Sequence, residues 1–443
     1  MKKSKLIALS LAASLAFSFA SVSDVGIVGT NPAHAASSSE ALGPDFDASL
    51  HRVPVTTRTH YFVDSDEKGP LLRSHWSAID FYGKPEEPAK NISVTLANYS
   101  REKSQDFEKT RREMLKQAKQ DRSERLKGGS TFFPAFESRS DINVRRADSL
   151  VVSFQENGSD YTGGAHGMFG ISGRSFNTYT GRELKLFDIF TDMNALSEAI
   201  KRQLMFDYPK SSFAQGGGAS MRETVDRLVR DNHLLWTLDP RGVTFYFNPY
   251  LLGSYAEGIF TTTLFFTEYP DIYRKDEYRG GVEWKGPKAY CMELPQFLTM
   301  RLSDSPRDER ISVSGIGEDI TIVYCGETLK DPVPNKEIRP VFVHCNDGKQ
   351  YLYVDYTNNK KDFKLRVYDL NGESPKLAGE FDMTRLASSP ENPASRKWYV
   401  MSDPNDFYLT ATAGSHYTPG KWLRCRIGAF GEPDVFAEEG GQG

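Results

Sequence analysis

The sequence predicts an α+β protein: an N-terminal antiparallel-sheet domain with three helices, followed by an all-β C-terminal module, either a sandwich or a set of propeller-like sheets. Three observations predict it. Up to about residue 270, strand-like runs pair locally across short turns, which favours an α+β arrangement over a doubly wound parallel sheet. Three stretches in the same region carry apolar residues at helical spacing instead. From Arg310 onward only short strand-like runs remain, punctuated by tight turns such as Asn346-Asp347-Gly348 and Asn371-Gly372.

Taken in order, Thr57–Val63, Arg73–Phe81 and Asn91–Tyr99 read as strands separated by turn-rich segments. Glu102–Lys127 then places Phe107, Met114, Leu115, Ala118 and Leu126 on one helical stripe amid Lys, Arg and Glu, and Gly128-Gly129 stops it. Ser149–Glu156 is the next strand, followed after Gly170 by a hairpin turning at Thr180-Gly181 whose second strand holds Leu186–Phe190. Thr191-Asp192 can cap a helix with Leu196, Ala199, Ile200 and Leu204 on one face, ended by Pro209. Gly216-Gly217-Gly218 joins it to a helix over Met221–Arg230. Trp236–Leu238 and Val243–Phe247 form a hairpin, and Ile259–Thr267 is the last strand of this block. The C-terminal strands are read at Ile311–Ser314, Ile320–Cys325, Pro340–Cys345, Gln350–Tyr356, Lys364–Leu370, Trp398–Met401, Tyr408–Ala413 and Lys421–Ile427.

The N-terminus reads as a leader. Lys2, Lys3 and Lys5 precede the apolar run Leu6–Ala20, which is too short for a lasting membrane helix, and Ala33-His34-Ala35 has the form of a cleavage site, with a nearer one at Ser18-Phe19-Ala20. No Cys stands just after either, so no lipid anchor is expected. The domain reading is therefore a signal peptide over 1–35, a disordered lead-in over 36–50, an α+β domain over 51–270 with halves at 51–150 and 151–270, a linker or shared segment over 271–306, and a β-rich module over 307–435. The mature chain is expected to be secreted or periplasmic, with no stable membrane insertion.

Of the 443 residues 39% are hydrophobic and 26% charged, and the formal net charge of −4 argues against nucleic acid or an anionic membrane as the main partner. The four cysteines, Cys291, Cys325, Cys345 and Cys425, form an even set in an exported chain, which suggests disulfides with three pairings open; free buried thiols are the equal alternative. No C-x-x-C, H-x-x-x-H or H-E-x-x-H occurs: His51, His60, His75, His233, His344 and His416 are scattered singly, so no metal and no cofactor is expected. No G-x-S-x-G appears, and the triple glycine lacks the Lys of a phosphate-cradling loop.

The chemistry-bearing stretch is Tyr161-Thr-Gly-Gly-Ala-His-Gly167, followed by the Thr180-Gly181 turn, Leu186-Phe-Asp-Ile-Phe190, Phe247-Asn-Pro-Tyr250 and Tyr255-Ala-Glu-Gly258. As a set these residues, within about 50–270, resemble the paired extracytoplasmic domain of RsiV-type anti-sigma factors, which also stands beside the catalytic domain of some peptidoglycan deacetylases. The resemblance implies recognition of a ligand outside the cell, since the anti-sigma members bind lysozyme. The chain lacks the anti-sigma factors' membrane helix and sigma-binding segment, and the Asp-His-His metal triad of a deacetylase.

His166 is the leading candidate residue, with Tyr161, Gly163, Gly164, Tyr250 and Tyr255 as a ligand-binding surface around it. A loop held on a rigid sheet is where recognition concentrates, and Tyr is a low-entropy anchor. The plainer reading is that the glycines satisfy a backbone demand and the tyrosines are core or lip aromatics. Two functions follow: a non-catalytic exported binding protein for a lysozyme-like protein or a peptidoglycan fragment, or a hydrolase of wall polymer in which His166 works with Asp160 and Asp188. A third assigns the work to the β module and a scaffold role to the first domain.

Overall fold

The computed structural model describes residues 53–83, 89–274, 289–303, 309–315, 317–333, 337–357, 362–387 and 394–439. The expected leader and lead-in lie outside these. Among the described residues no helix is long and apolar enough to cross a membrane.

A seven-stranded sheet forms the N-terminal layer. Its strands β1 (Val55–Asp66), β2 (Gly69–Phe81), β3 (Phe136–Ala147), β4 (Val151–Tyr161) and β5 (Met168–Asn177) lie side by side in chain order. Every pair is antiparallel except β2 and β3. Parallel neighbours need a crossover, and helix α1 (Lys90–Lys127) supplies it. Its 38 residues, roughly 57 Å at 1.5 Å per residue, bury Ile92, Leu96, Ser100, Phe107, Met114, Ala118 and Arg122. These spacings of four and seven keep one stripe on the sheet.

The strand expected at Asn91–Tyr99 is the start of α1. The run reads as a strand because Ile92, Val94 and Leu96 alternate, but Val94 is exposed while Ile92, Leu96 and Ser100, four apart, are buried. Ser100 Oγ then donates to Ile79 O and accepts from Ile79 N, so the segment is locked to β2. The second strand expected at Leu186–Phe190 is also absent. The return from the Thr180-Gly181 turn makes one bridge, Phe176 to Glu183, and Leu186–Ile189 (α2) is a single helical turn.

The middle unit packs α3 (Met193–Asp207) and α5 (Ala219–Arg230), with the one-turn α4 (Ser212–Gln215) between them, on the antiparallel strands β6 (Leu235–Asp239), β7 (Gly242–Phe247) and β8 (Phe260–Phe265). Asp192 caps α3 as its position predicts, accepting from Asn194 N at 2.7 Å and Ala195 N at 3.2 Å. The core holds Leu196, Ile200, Leu204, Met221, Val225, Phe245, Phe247 and Leu264. The chain is thus mixed, with five helices among the described residues rather than three.

The C-terminal part is all β. One sheet runs Met300–Arg301, Arg310–Ser314, Asp319–Tyr324, Glu327–Pro332; a second takes Tyr290–Glu293 and the strands from Glu337 to Phe381; a third holds Met383–Thr384, Phe407–Ala411, Trp422–Ile427 and Pro433–Glu439. Ser395–Tyr399 joins the first domain, pairing with β1 from Thr56–Tyr399 to His60–Ser395. Glu327–Pro332, Lys376–Phe381 and Pro433–Glu439 carry no strand signal because they are sheet edges, polar and half in water.

Buried charges tie the three parts together. Arg145, fully buried on β3, donates to Asp239 of β6 at 2.6 Å and to the carbonyl of Glu293 at 2.8 Å. Glu293 accepts from Val144 N at 2.8 Å and from Arg385 at 2.7 Å, and Arg385 reaches Asp355 at 2.5 Å. Of the two readings left open for the cysteines, the structure takes the free-thiol one: all four are unbridged, Cys291 and Cys425 buried and Cys325 and Cys345 half-buried. They pack as small apolar residues, as Cys291 and Cys425 do in the core with Val341, Val343 and Tyr353.

Candidate functional site

The Tyr161–Gly167 segment is the connection from β4 to β5. Two glycines in it answer backbone demands. Gly163 has φ +80°, and a Cβ on Gly167 would lie 2.9 Å from the carbonyl oxygen of Asp160. His166 shares a hydrogen bond through Nδ1 with Gly167 O at 2.9 Å, which assigns the proton to Nδ1. Its ring stacks on Tyr255, centroids 4.1 Å apart, and the Tyr255 hydroxyl donates to the same carbonyl. Phe169 meets Tyr255 edge-on at 5.3 Å and Tyr250 approaches it at 5.8 Å.

The structure therefore brings His166, Tyr250 and Tyr255 together and adds Phe169. It does not bring in the other half of the expected set. Gly163 faces Arg125, Phe136 and Pro134 near the end of α1, Gly164 borders the His166 carbonyl, and among the described residues the Tyr161 ring meets none of the rings of this cluster. No carboxylate bonds to His166 among the described residues. Asp188 is held by Arg182 at 2.9 Å and by Lys185 N at 2.7 Å. Asp160 is raised by burial against a lowering hydrogen bond from Ser138. The acid–base set of the hydrolase reading is not assembled at this loop.

Beside this aromatic rim opens a cleft of about 1450 Å³. Its walls come from all three parts: Tyr61, His75, Asp141 and Phe169 from the first sheet, Tyr208 and Glu257 from the middle unit, and Gln296, Phe297, Glu337 and Arg339 from the C-terminal part. Its size exceeds that of most small-ligand pockets and suits an extended molecule.

On its floor, the Nε2 of His75 and the Oδ2 of Asp141 are 3.0 Å apart. Burial pushes the Asp141 carboxyl up, but the His75 ring, Arg339 and Arg139 outweigh it and hold it down at about 2. The Tyr61 ring lies 5.4 Å from His75, and its hydroxyl donates to Glu337 at 3.0 Å. Burial first, then Glu337, drives that phenol well above its ordinary value, so it stays a neutral donor. Arg396 closes the far side of Glu337 at 2.7 Å. Arg339 donates to Thr57 and Thr59 and lies over Trp398, 4.5 Å from the ring centre. Arg73 and Lys210 stand exposed on the walls. Among the described residues no three His, Cys, Asp or Glu side chains are grouped to hold a metal.

Sequence reasoning finds none of this floor. His75 and Asp141 are 66 positions apart and Tyr61 and Glu337 276, and each sits in a strand whose alternation gives no sign of it. The only local signal is a charged or imidazole side chain at an inward position, as with His75 between Ser74 and Trp76.

The geometry defines a two-part α+β unit, a long-helix-backed sheet followed by a helix-covered three-stranded sheet, extended by a β-rich region. Residues 80–169 match the family model described as deacetylase PdaC, and residues 187–266 match that of a protein of unknown function, DUF3298, so the paired domain expected within 50–270 is present. Two solved structures are similar. A DUF3298 family member from Bacteroides fragilis NCTC 9343 is 19% identical, with 51% of this chain and 94% of that chain covered and a TM-score of 0.40. A DUF3298 family protein from Pseudomonas aeruginosa PAO1 is 14% identical, with 52% and 97% covered and a TM-score of 0.32. No curated protein matches the chain.

Proposed function

We propose that this is an exported, non-catalytic binding protein whose cleft receives a segment of cell-wall glycan. The observation that carries the reading is the cleft itself. Its aromatic faces, Phe169 and Phe297, stand among amides and charged groups such as Asn143, Asn157, Gln296 and Glu257. A sugar chain, apolar on the faces of its rings and hydroxylated at their edges, is complementary to that mixture. The leader-like N-terminus supports export, and the resemblance of 80–169 to a segment found beside wall deacetylases supports a wall polymer as ligand.

A protein ligand of the lysozyme type is the second reading, favoured by the exposed rim of His166, Met168 and Tyr250 outside the cleft. Calorimetric titration of the chain from residue 36 separates the two. Saturable heat with solubilised peptidoglycan fragments, weakened by His75→Ala, supports the cleft. Heat with lysozyme alone, weakened by Tyr255→Ala, moves the site to the rim, and no heat with either overturns both.

A further inference from the structure

Four described residues other than glycine have positive φ: Asn232 at 53°, Tyr250 at 70°, Phe297 at 67° and Cys325 at 52°. Local chemistry explains two. Asn tolerates the left-handed region because its short amide side chain bonds locally. Cys325 and Gly326, φ 86°, form the two-residue connection between Asp319–Tyr324 and Glu327–Pro332, where the strand twist calls for positive φ at both positions. Tyr250 and Phe297 have neither reason. A bulky residue in this region is an outlier that persists only where its surroundings over-determine it.

Phe297 is held in that way. Its N–H donates to Val313 O at 3.0 Å, Gln296 Nε2 donates to Ile338 O at 3.1 Å, and Leu294 N–H donates to Pro340 O at 3.0 Å. The strain does not serve to bury the ring: Phe297 is 57% exposed and Tyr250 60%. A solvated turn position of this kind ordinarily goes to Gly or Asn. Here it carries an aromatic ring on the wall that the C-terminal part gives to the cleft. Tyr250 stands at the rim, through Tyr255 and Phe169, the latter also a cleft residue.

We propose that Phe297 is a stacking platform for the apolar face of a pyranose ring, with Tyr250 as a second platform at the rim. The inference rests on the glycan reading of the cleft and names the subsite that grips the sugar. A turn fixed in advance holds the Cα–Cβ bond of Phe297 in one direction, so only the side-chain rotations remain to be ordered when a sugar binds. The hydroxyls of the same residue then face polar wall groups such as Gln296 and Asn143.

The test uses Phe297→Gly and Phe297→Asn in the full mature chain, with the N-acetylglucosamine tetramer and solubilised peptidoglycan fragments as probes. Both replacements accept positive φ, so Tm is expected to hold or rise by a few degrees while affinity falls about tenfold or more. Tyr250→Gly is expected to show the same pairing with a smaller loss. Wild-type binding that Phe297→Gly leaves unchanged overturns the platform and leaves the cleft reading standing. A large fall in Tm for both Phe297 variants makes the ring a packing residue and overturns it too. A wild-type chain that binds neither probe removes the glycan reading and the platform with it.

Discussion

His75 and Asp141 meet across the parallel pair β2 and β3, Nε2 to Oδ2 at 3.0 Å, and that imidazole helps to hold the Asp141 carboxyl below its ordinary range. The folded-state carboxyl is held at about 2 against an ordinary 3.8, so its stabilisation is complete above the unfolded value and is lost as pH falls towards 2. The side chain is 41% exposed, so solvent screening leaves a contribution on the order of 1 kcal/mol. Asp141→Asn should lower stability by that amount at neutral pH, and denaturant melts should show wild type and variant converging between about pH 4 and pH 2. A gap that persists unchanged at pH 2 sinks the assignment.

Arg385 is fully buried between Glu293 and Asp355, both also buried. Replacing it with Met leaves two uncompensated carboxylates and should cost about 3–5 kcal/mol in guanidinium unfolding. Lys in its place should not restore the loss, because a point charge cannot serve two carboxylates and the Arg339 carbonyl as the planar fork does. A mild effect of Arg385→Met would mean that water reaches the junction.

The Thr180-Gly181 turn docks on the first turns of α1. Gly181 has φ +69°, and a Cβ there would come 2.6 Å from Thr95 Oγ1 and 2.9 Å from Asn91 O. Gly217 has φ +77° with nothing within 4 Å. Gly217→Ala should therefore cost about 1–2 kcal/mol from backbone strain alone. Gly181→Ala should cost a further 1–3 kcal/mol or so from the clash. Equal losses in thermal melts would show that the turn is not held on the helix.

Burial raises the Cys345 thiol to about 11 and the Cys425 thiol to about 12, and lifts Cys291 well above its ordinary value. Few thiolates are present at pH 8, so a thiol-specific reagent should label these three slowly in the native chain. Unfolding without reductant should expose all four thiols. Fewer than four reactive groups after unfolding would establish a disulfide.

Tyr255→Phe removes the hydroxyl that donates to Gly167 O while keeping the ring on His166. Loss of that bond is worth about 1 kcal/mol, and the amides of the 162–167 connection should exchange several-fold faster. Unchanged exchange would show that the stacked rings alone hold the loop.

The helices were legible where spacing and caps agree, as in α3 with Asp192 before it and apolar residues at positions 196, 199, 200 and 204. The first turns of α1 were not, because β-branched Ile92, Val94 and Thr95 mimic strand alternation until the sheet beneath selects one face. β3 was missed because its inward positions include Ser138, Ser140 and Arg145. Such a strand is intelligible only with the partners that satisfy it: Asp239 and the Glu293 carbonyl for Arg145, the Glu156 carboxylate for Ser140. At the candidate site, the glycine-rich connection and the later tyrosines singled out His166, Tyr250 and Tyr255, which the fold places side by side, but not Phe169, which completes that cluster. The floor of the cleft left only a single imidazole, His75, within a strand.

By itself the sequence determined the mixed class, the paired domain within 50–270 and the β-rich end, since each follows from periodicity, turn residues or a string of neighbouring motifs. Only the tertiary structure decided that Ser395–Tyr399 joins β1 and that Tyr61, His75, Asp141, Phe297 and Glu337 share one cleft. The reason is physical. Periodicity reports which side of a strand or helix avoids water, whereas strand order and the pairing of buried charges depend on contacts hundreds of residues apart, whose energies no local window contains.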